Sequence, residues 1–467
     1  MEDLRSINPA TGAVIATYRP HGPAEIEERL AKAASAFERW RLTSLADRTA
    51  LLVRIADLLE ERRERYARLM TDEMGKLLGD ARAEVTKCAT ACRYYAEHAA
   101  AMLAPETVPT EMTKSYVVFD PLGPVLAVMP WNFPFWQLFR FAAPGLAAGN
   151  VALLKHASNV CGSALALEEL WRDAGAPAGV FQTLLVPAAA IAAIVADDRV
   201  RAVTLTGSER AGMSIAAAAG RACKKCVLEL GGSDPFVVLA DADPVRTARA
   251  AASARVVNGG ESCIAAKRFI VAREIAEPFT RALADVMGAL RVGDPSRPET
   301  QVGPLARTDL RDEVAQQVAR SVAAGARCLV GGAALAGAGA YYAPTVLADV
   351  RPGMAAFDEE VFGPVAAVVV AQDADEAVAL ANRTRYGLGA SIWTRDTARA
   401  EALARRLEAG MVFVNEAVRS DPRLPFGGVK RSGYGRELSH YGIREFANVR
   451  TIVVVTPSET PTDASVE

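Results

Sequence analysis

The chain is predicted to be an α/β protein built on doubly wound parallel sheets, and three observations predict it. Short apolar segments alternate with alanine-rich segments of helical length from about residue 124 to residue 414. Those apolar segments are continuous, as expected of strands covered on both faces. At 467 residues the chain exceeds what one core usually holds, so two or more domains are expected.

Taken in order, residues 23–40 read as an amphipathic helix, with Ile26, Leu30, Ala33 and Phe37 on one face and Pro23 in the first turn. A second helix is expected over 45–70 and a third over 76–101. The charged run 60–65 reads as a solvated helix face. Residues 114–119 form a strand candidate, followed by a turn at 120–124. Strands are then expected at 125–129, 151–154, 181–186, 203–206 and 227–230, with helices near 135–148, 160–174, 188–197 and 209–220. The alternation resumes after Gly231-Gly232, with strands at 236–239, 269–271, 327–330, 365–370, 390–393 and 411–414. Its helices lie near 248–257, 277–290, 311–324, 374–383 and 397–409, and this half reads as a second α/β domain. Residues 451–455 form a last strand, and the tail from Pro457 has the composition of a disordered segment.

Composition excludes several classes of function. The formal net charge of −2 gives no electrostatic case for nucleic acid or an anionic membrane. The most apolar region, 124–154, is interrupted by Pro130, Asn132, Pro134, Gln137 and Arg140, so no membrane span is expected. The start Met1-Glu2-Asp3-Leu4-Arg5 lacks the features of a signal peptide, and a cytoplasmic location is the expectation. Seven scattered cysteines argue against a disulfide framework. Cys223 and Cys226 have CxxC spacing but no second pair or histidines to complete a zinc site. A redox role is the alternative to two cysteines at a strand entrance. No metal-ligand cluster is evident.

Several short motifs carry chemistry. Cys263 follows Gly259-Gly260 and precedes a strand; glycines there let backbone approach a ligand closely, so the thiol is a candidate nucleophile or a buried structural cysteine. Asn132, in Pro130-Trp131-Asn132-Phe133-Pro134, sits between a strand and a helix, as an oxyanion donor or an N-cap. Trp136 and Arg140 follow at four-residue steps. A guanidinium on that apolar face calls for an anion, either a protein carboxylate or that of a substrate. Lys155 and Ser158 follow a strand end, where groups face the ligand crevice of a doubly wound sheet. Gly207-Ser208 and Gly212 open a helix whose free N–H groups suit a phosphate. Glu229 lies among apolar neighbours, as a base with a raised pKa or an ion-paired residue. Glu360 and Phe362 lie in another turn-like acidic stretch.

Trp131-Asn132-Phe133-Pro134, Lys155, Gly207-Ser208 with Gly212, Glu229-Leu230-Gly231-Gly232, Cys263, Glu360-Val361-Phe362-Gly363-Pro364 and Pro425-Phe426-Gly427-Gly428 occur in the order and approximate spacing of the aldehyde dehydrogenase superfamily. The resemblance runs from Ile7-Asn8-Pro9 to the final strand. Residues 155–159 and 420–437 resemble the succinate-semialdehyde dehydrogenase group.

The resemblance implies two Rossmann-like domains with a small β oligomerisation arm. It places a cofactor domain at 1–111 and 129–230, a catalytic domain at 231–431, the arm at 112–128 and 432–457, and a disordered tail at 458–467. It implies a Cys263 nucleophile, an oxyanion site from Asn132 and the Cys263 N–H, and Glu229 as the base that activates water. It assigns NAD or NADP to Trp131, Lys155, Ser158, Gly207, Ser208, Gly212, Glu360 and Phe362. The substrate pocket falls to Trp136, Arg140, Ser420 and Phe426, and a four-carbon semialdehyde would set its carboxylate on Arg140. A homodimer or homotetramer without metal is expected.

The sequence departs from many relatives at three places. Glu261 replaces a glutamine two residues before the cysteine, and is expected to point away from the thiol. His156 and Ser158 replace proline and glutamate; losing that glutamate removes the charge that opposes a 2′-phosphate, which favours NADP. Ala265 removes the partner for a vicinal disulfide. A hydrolytic enzyme for another small or uncharged aldehyde, a CoA-acylating enzyme and a non-catalytic scaffold are alternatives; retention of Glu229 argues against the second, and retention of both Cys263 and Glu229 against the third.

Overall fold

The computed structural model describes residues 3–456; the tail expected to be disordered lies outside the described residues. Two parallel sheets dominate. The first has six strands in the order Gly433–Tyr434, Lys225–Glu229, Ala202–Thr206, Pro124–Met129, Val151–His156 and Phe181–Thr183. All its neighbours are parallel except the short first strand, which returns from the end of the chain and runs antiparallel to Lys225–Glu229. The second has seven strands in the order Arg327–Val330, Thr345–Ala348, Val365–Ala371, Arg268–Ala272, Pro235–Val238, Gly389–Trp393 and Met411–Val414, parallel except at its first pair.

The continuous apolar strands of the second sheet serve two cores at once. Phe236, Val238, Phe269 and Val271 enter one cluster, whereas Val237 and Ile270 enter another. That is the two-residue period of a strand with helices on both faces. The first sheet shares one large core with the N-terminal helices, and Phe426, Leu438 and Ile443 join it from the C-terminal part.

The expected helix over 45–70 is two helices, Leu45–Glu61 and Arg63–Met74. The break falls at Arg62, inside the charged run, where no apolar residue anchors the turn; Arg62 instead pairs with Asp173 at 2.7 Å. An N-terminal hairpin, Leu4–Ile7 with Val14–Tyr18, and the strand Thr345–Ala348 were not expected; each is only four or five residues long. Strand Lys114–Pro121 pairs antiparallel with Ala447–Val454, with Val117 opposite Thr451, and a third short strand, Glu106–Thr107, completes this small sheet. No helix among the described residues is long and apolar enough to cross a membrane.

Candidate active site

The cysteine loop begins where helix Pro244–Arg255 ends. Asn258, Gly259 and Gly260 take φ of 54°, 66° and 85°, three left-handed residues in succession. Glycine and asparagine are the residues that adopt this conformation at least cost. A Cβ on Gly260 would also collide with the Gly363 carbonyl. Buried side chains then tie down the loop's backbone. Arg255 Nη2 donates to the Gly260 carbonyl at 2.6 Å. Lys267 Nζ donates to the carbonyls of Ser262, Cys263 and Ala265 at 3.0, 2.9 and 3.1 Å.

Asn132 meets this loop. Its Nδ2 donates to the Glu261 carbonyl at 3.1 Å, and Asn258 Nδ2 donates to the Asn132 carbonyl at 2.9 Å. An amide nitrogen carries two hydrogens, so Asn132 keeps one beyond this bond. Burial pushes the Cys263 thiol up to about 12; Arg140 and Lys267 pull it down, and Glu360 and Asp234 push it further up. The Glu261 carboxylate is buried and accepts from the Ala306 N–H at 3.0 and 3.2 Å. It is turned to that amide and is not among the charges acting on Cys263.

Cys263 and Asn132 border a cleft of about 450 Å³ that also takes in Trp131, Lys155, Gly207, Ser208, Glu360 and Phe362. Trp131 and Phe362 meet edge to face at 5.8 Å between ring centroids. Lys155 ends strand Val151–His156, half-buried, and burial lowers its pKa; no carboxylate pairs with it among the described residues. Ser208 caps helix Glu209–Arg221, so that helix presents its N-terminus to the cleft. Glu360 accepts from the Gly232 N–H at 3.0 Å and lies 3.7 Å from Lys267. A Cβ on Gly231 would strike the Glu360 carboxylate. An unpaired cation, a helix N-terminus and a carboxylate along one cleft are a donor set that fits a dinucleotide's phosphates and ribose hydroxyls.

Ser158 is exposed on a short 3-10 turn beside that cleft, and Gly212 packs within 2.6 Å of Leu230 where a Cβ would stand; neither forms its wall. Glu229 ends strand Lys225–Glu229, and it too is absent from the wall. It is 2% exposed, and neither carboxylate oxygen has a hydrogen-bond partner. Burial, and then the nearby Glu437, push its pKa well above the ordinary carboxylate value, against the pull of Arg140 and Arg436.

The four expected substrate residues form a second cluster. Trp136 Nε1 donates to Ser420 Oγ at 3.0 Å, and the Arg140 guanidinium lies 4.3 Å above the Phe426 ring. Arg140 does not stand free, however. Its Nε lies 2.6 Å from Glu437 Oε2, an ion pair held by proximity more than by hydrogen-bond alignment, and its Nη2 donates to Thr206 at 3.3 Å. The expectation of an open guanidinium waiting for a substrate is therefore corrected to the protein-carboxylate alternative. Two mutual backbone hydrogen bonds between Phe426 and Glu437 set that carboxylate beside it.

Sequence reasoning missed two members of this cluster, Glu437 and a lysine. Lys87, on helix Leu78–Met102, donates to Ser420 Oγ at 2.7 Å and lies 4.4 Å over the Trp136 ring. A lysine in a charged helical stretch reads as solvated, so spacing gave no signal for it. Cys223 is exposed and Cys226 half-buried, and no group of metal-ligating side chains occurs among the described residues.

Residues 1–452 match the model of the aldehyde dehydrogenase family. A probable NADP(+) succinate-semialdehyde dehydrogenase of Synechocystis is 51% identical over 449 residues, covering 96% of this chain and 99% of the relative. An Escherichia coli succinate semialdehyde dehydrogenase described as using NAD(P)+ is 50% identical, covering 96% and 97%. Among solved structures, a succinic semialdehyde dehydrogenase of Streptococcus pyogenes in complex with NADP+ matches with a TM-score of 0.95 at 37% identity, covering 97% of this chain and all of that one.

Proposed function

From the premise that this chain belongs to the aldehyde dehydrogenase family, we propose that it oxidises succinate semialdehyde to succinate with NADP in preference to NAD. The observation that carries the reading is Cys263 and the Asn132 amide on one cleft with Lys155, the Gly207-Ser208 helix start and Glu360. The names of relatives at about half identity support the substrate and the cofactor.

Each step then falls to a residue of this chain. The Cys263 thiolate attacks the aldehyde carbon, and the free hydrogen of the Asn132 amide, with the Cys263 N–H, receives the oxygen as it gains charge. Lys155 and Glu360 would hold the riboses of the cofactor, and Ser208 with its helix start would hold the pyrophosphate. Trp131 and Phe362 wall the same cleft. A bound nicotinamide would supply the hydride acceptor. Glu229 then takes a proton from the water that cleaves the Cys263 thioester. Ser158, uncharged and exposed beside the cleft, leaves room for a 2′-phosphate.

We divide the chain into a cofactor domain of 1–111 with 124–230, a catalytic domain of 231–431, and an arm of Lys114–Pro121 with Ala447–Val454 that joins subunits into a homodimer or homotetramer. The arm bounds of 112–128 and 432–457 expected from the sequence are narrowed, because Pro124–Met129 and Gly433–Tyr434 are strands of the six-stranded sheet. The protein works in the cytoplasm. A single panel tests the reading: reduced-nicotinamide formation from succinate semialdehyde and butanal, with NADP and with NAD, with and without CoA. Turnover of succinate semialdehyde with NADP, independent of CoA, is expected. No turnover overturns the reading, and CoA dependence replaces water as the acceptor.

A further inference from the structure

We propose that Lys267 is a positioning residue of the oxyanion site: by gripping the Ser262 carbonyl it aims the Cys263 N–H at the oxygen of the reacting aldehyde. This rests on the reading that the chain oxidises an aldehyde through Cys263, and it adds a residue that acts only through the backbone of the loop.

The carbonyls of that loop are held one after another by side chains. Arg255 takes the carbonyl of Gly260, and Asn132 and Asn258 take that of Glu261. Lys267 Nζ takes those of Ser262, Cys263 and Ala265 at 3.0, 2.9 and 3.1 Å. An ammonium has three hydrogens, so these bonds use the whole group. The Ser262 carbonyl also accepts from the Ala265 N–H at 3.2 Å, which occupies its second lone pair. Lys267 is 2% exposed and Ser262 fully buried, so removing the donor leaves carbonyls unpaired away from solvent.

A trans peptide is planar, and its C=O and N–H point in opposite directions. The carbonyl of Ser262 and the N–H of Cys263 belong to one such unit. Holding the carbonyl on Lys267 therefore sends the N–H to the other side of the loop, where it meets no acceptor among the described residues. An ammonium on the carbonyl also polarises the peptide and makes the N–H a stronger donor. As the thiolate sulfur bonds to the aldehyde carbon, the C=O π pair moves onto oxygen. An N–H fixed beforehand stabilises that charge without having to reorient. A competing role comes from Glu360, 3.7 Å from Lys267, because Lys267 could serve the cofactor by fixing that carboxylate.

The experiment measures three quantities in Lys267→Met, which keeps length and removes the donors. They are the burst rate of reduced cofactor at saturating succinate semialdehyde, the iodoacetamide alkylation rate of Cys263, and the cofactor Kd. The burst is expected to slow about 100-fold, as when one oxyanion donor is lost. Aldehyde KM stays near its unmodified value, since the lost interaction belongs to the transition state. Alkylation falls far less, because displacing iodide builds no oxyanion. Lys267 also favours the thiolate, and dividing the burst rate by the alkylation rate removes that part. Lys267→Gln keeps two N–H donors on a side chain one bond shorter; it is expected to recover part of the loss, and it serves if Lys267→Met fails to fold. Equal slowing of burst and alkylation overturns the proposal. So does a loss confined to cofactor Kd, which assigns Lys267 to Glu360 instead. A measurement that leaves Lys267 in place also decides it. In Glu229→Gln with Asn132→Ala, the Cys263 N–H is the oxyanion donor left to the thioester that accumulates. The isotope-labelled carbonyl of that thioester is expected to absorb in the infrared below the same thioester in an aprotic solvent, and absorption at the solvent value overturns the proposal. An unmodified enzyme that forms no reduced cofactor with any aldehyde instead overturns the functional reading itself.

Discussion

A thiol pushed up to about 12 is almost wholly protonated at neutral pH, so Cys263 rests as a thiol in the protein without its ligands. Below its pKa the thiolate fraction grows about tenfold per pH unit. Alkylation of Cys263 by iodoacetamide, followed by peptide mass spectrometry, is therefore expected to accelerate through at least pH 10 without levelling. A plateau near pH 8 would mean a thiolate already stabilised in the resting site. Glu229 presents the matching case for a carboxyl. Burial and Glu437 raise its pKa, so the neutral form persists above the ordinary carboxylate range and the base form appears only as pH rises further. Glu229→Gln keeps size and neutrality but cannot take a proton from water. Stopped-flow traces should show a burst of reduced cofactor near one equivalent, followed by turnover lowered at least about 100-fold. Loss of the burst together with turnover would remove Glu229 from deacylation. Chemically distinctive residues of this kind were legible in the sequence, because a lone cysteine behind two glycines and a glutamate in an apolar strand stand out from their surroundings. Glu437 and Lys87 were not, because each acquires its meaning from a partner distant in the chain.

At the scale of elements, the parallel strands were legible because burial on both faces leaves an unbroken apolar run. What failed were short elements and element ends: Thr345–Ala348 carries only four residues of signal, and the break at Arg62 has neither glycine nor proline to mark it. The cysteine loop shows the opposite case, in which a glycine pair announces a backbone that nothing else permits. Gly260→Ala asks a side chain to adopt φ of +85° and to enter the space of the Gly363 carbonyl. The conformation alone costs about 1–2 kcal/mol, and the collision adds to it. A lower urea midpoint with an unchanged slope is expected, together with a larger loss of activity, because the loop carries Cys263 and receives Asn132. Gly259→Ala has open space for its Cβ and bears only the conformational part. Equal destabilisation of the two variants would mean that the contact with Gly363 contributes nothing.

At the scale of the whole molecule, the small antiparallel sheet is the part with least reason to exist in a lone protomer. Ala447–Val454 is its outer strand, eight residues long, paired on one edge and unpaired on the other. Val449 and Val453 are 63% and 52% exposed on it. A long apolar edge strand is an aggregation hazard unless something covers it. A second copy of the chain would cover it, which is why we expect a homo-oligomer formed through this edge. Placing like charges at Val449 and Val453 opposes the approach of a symmetry-related strand while leaving the pairing with Lys114–Pro121 in place. Light scattering on a sizing column is expected to give a multiple of the protomer mass for the unmodified protein. The double variant Val449→Asp, Val453→Asp should give a smaller species whose fraction grows on dilution. A monomeric unmodified protein would remove this edge as an interface, and an unchanged mass in the variant would move the interface to another face.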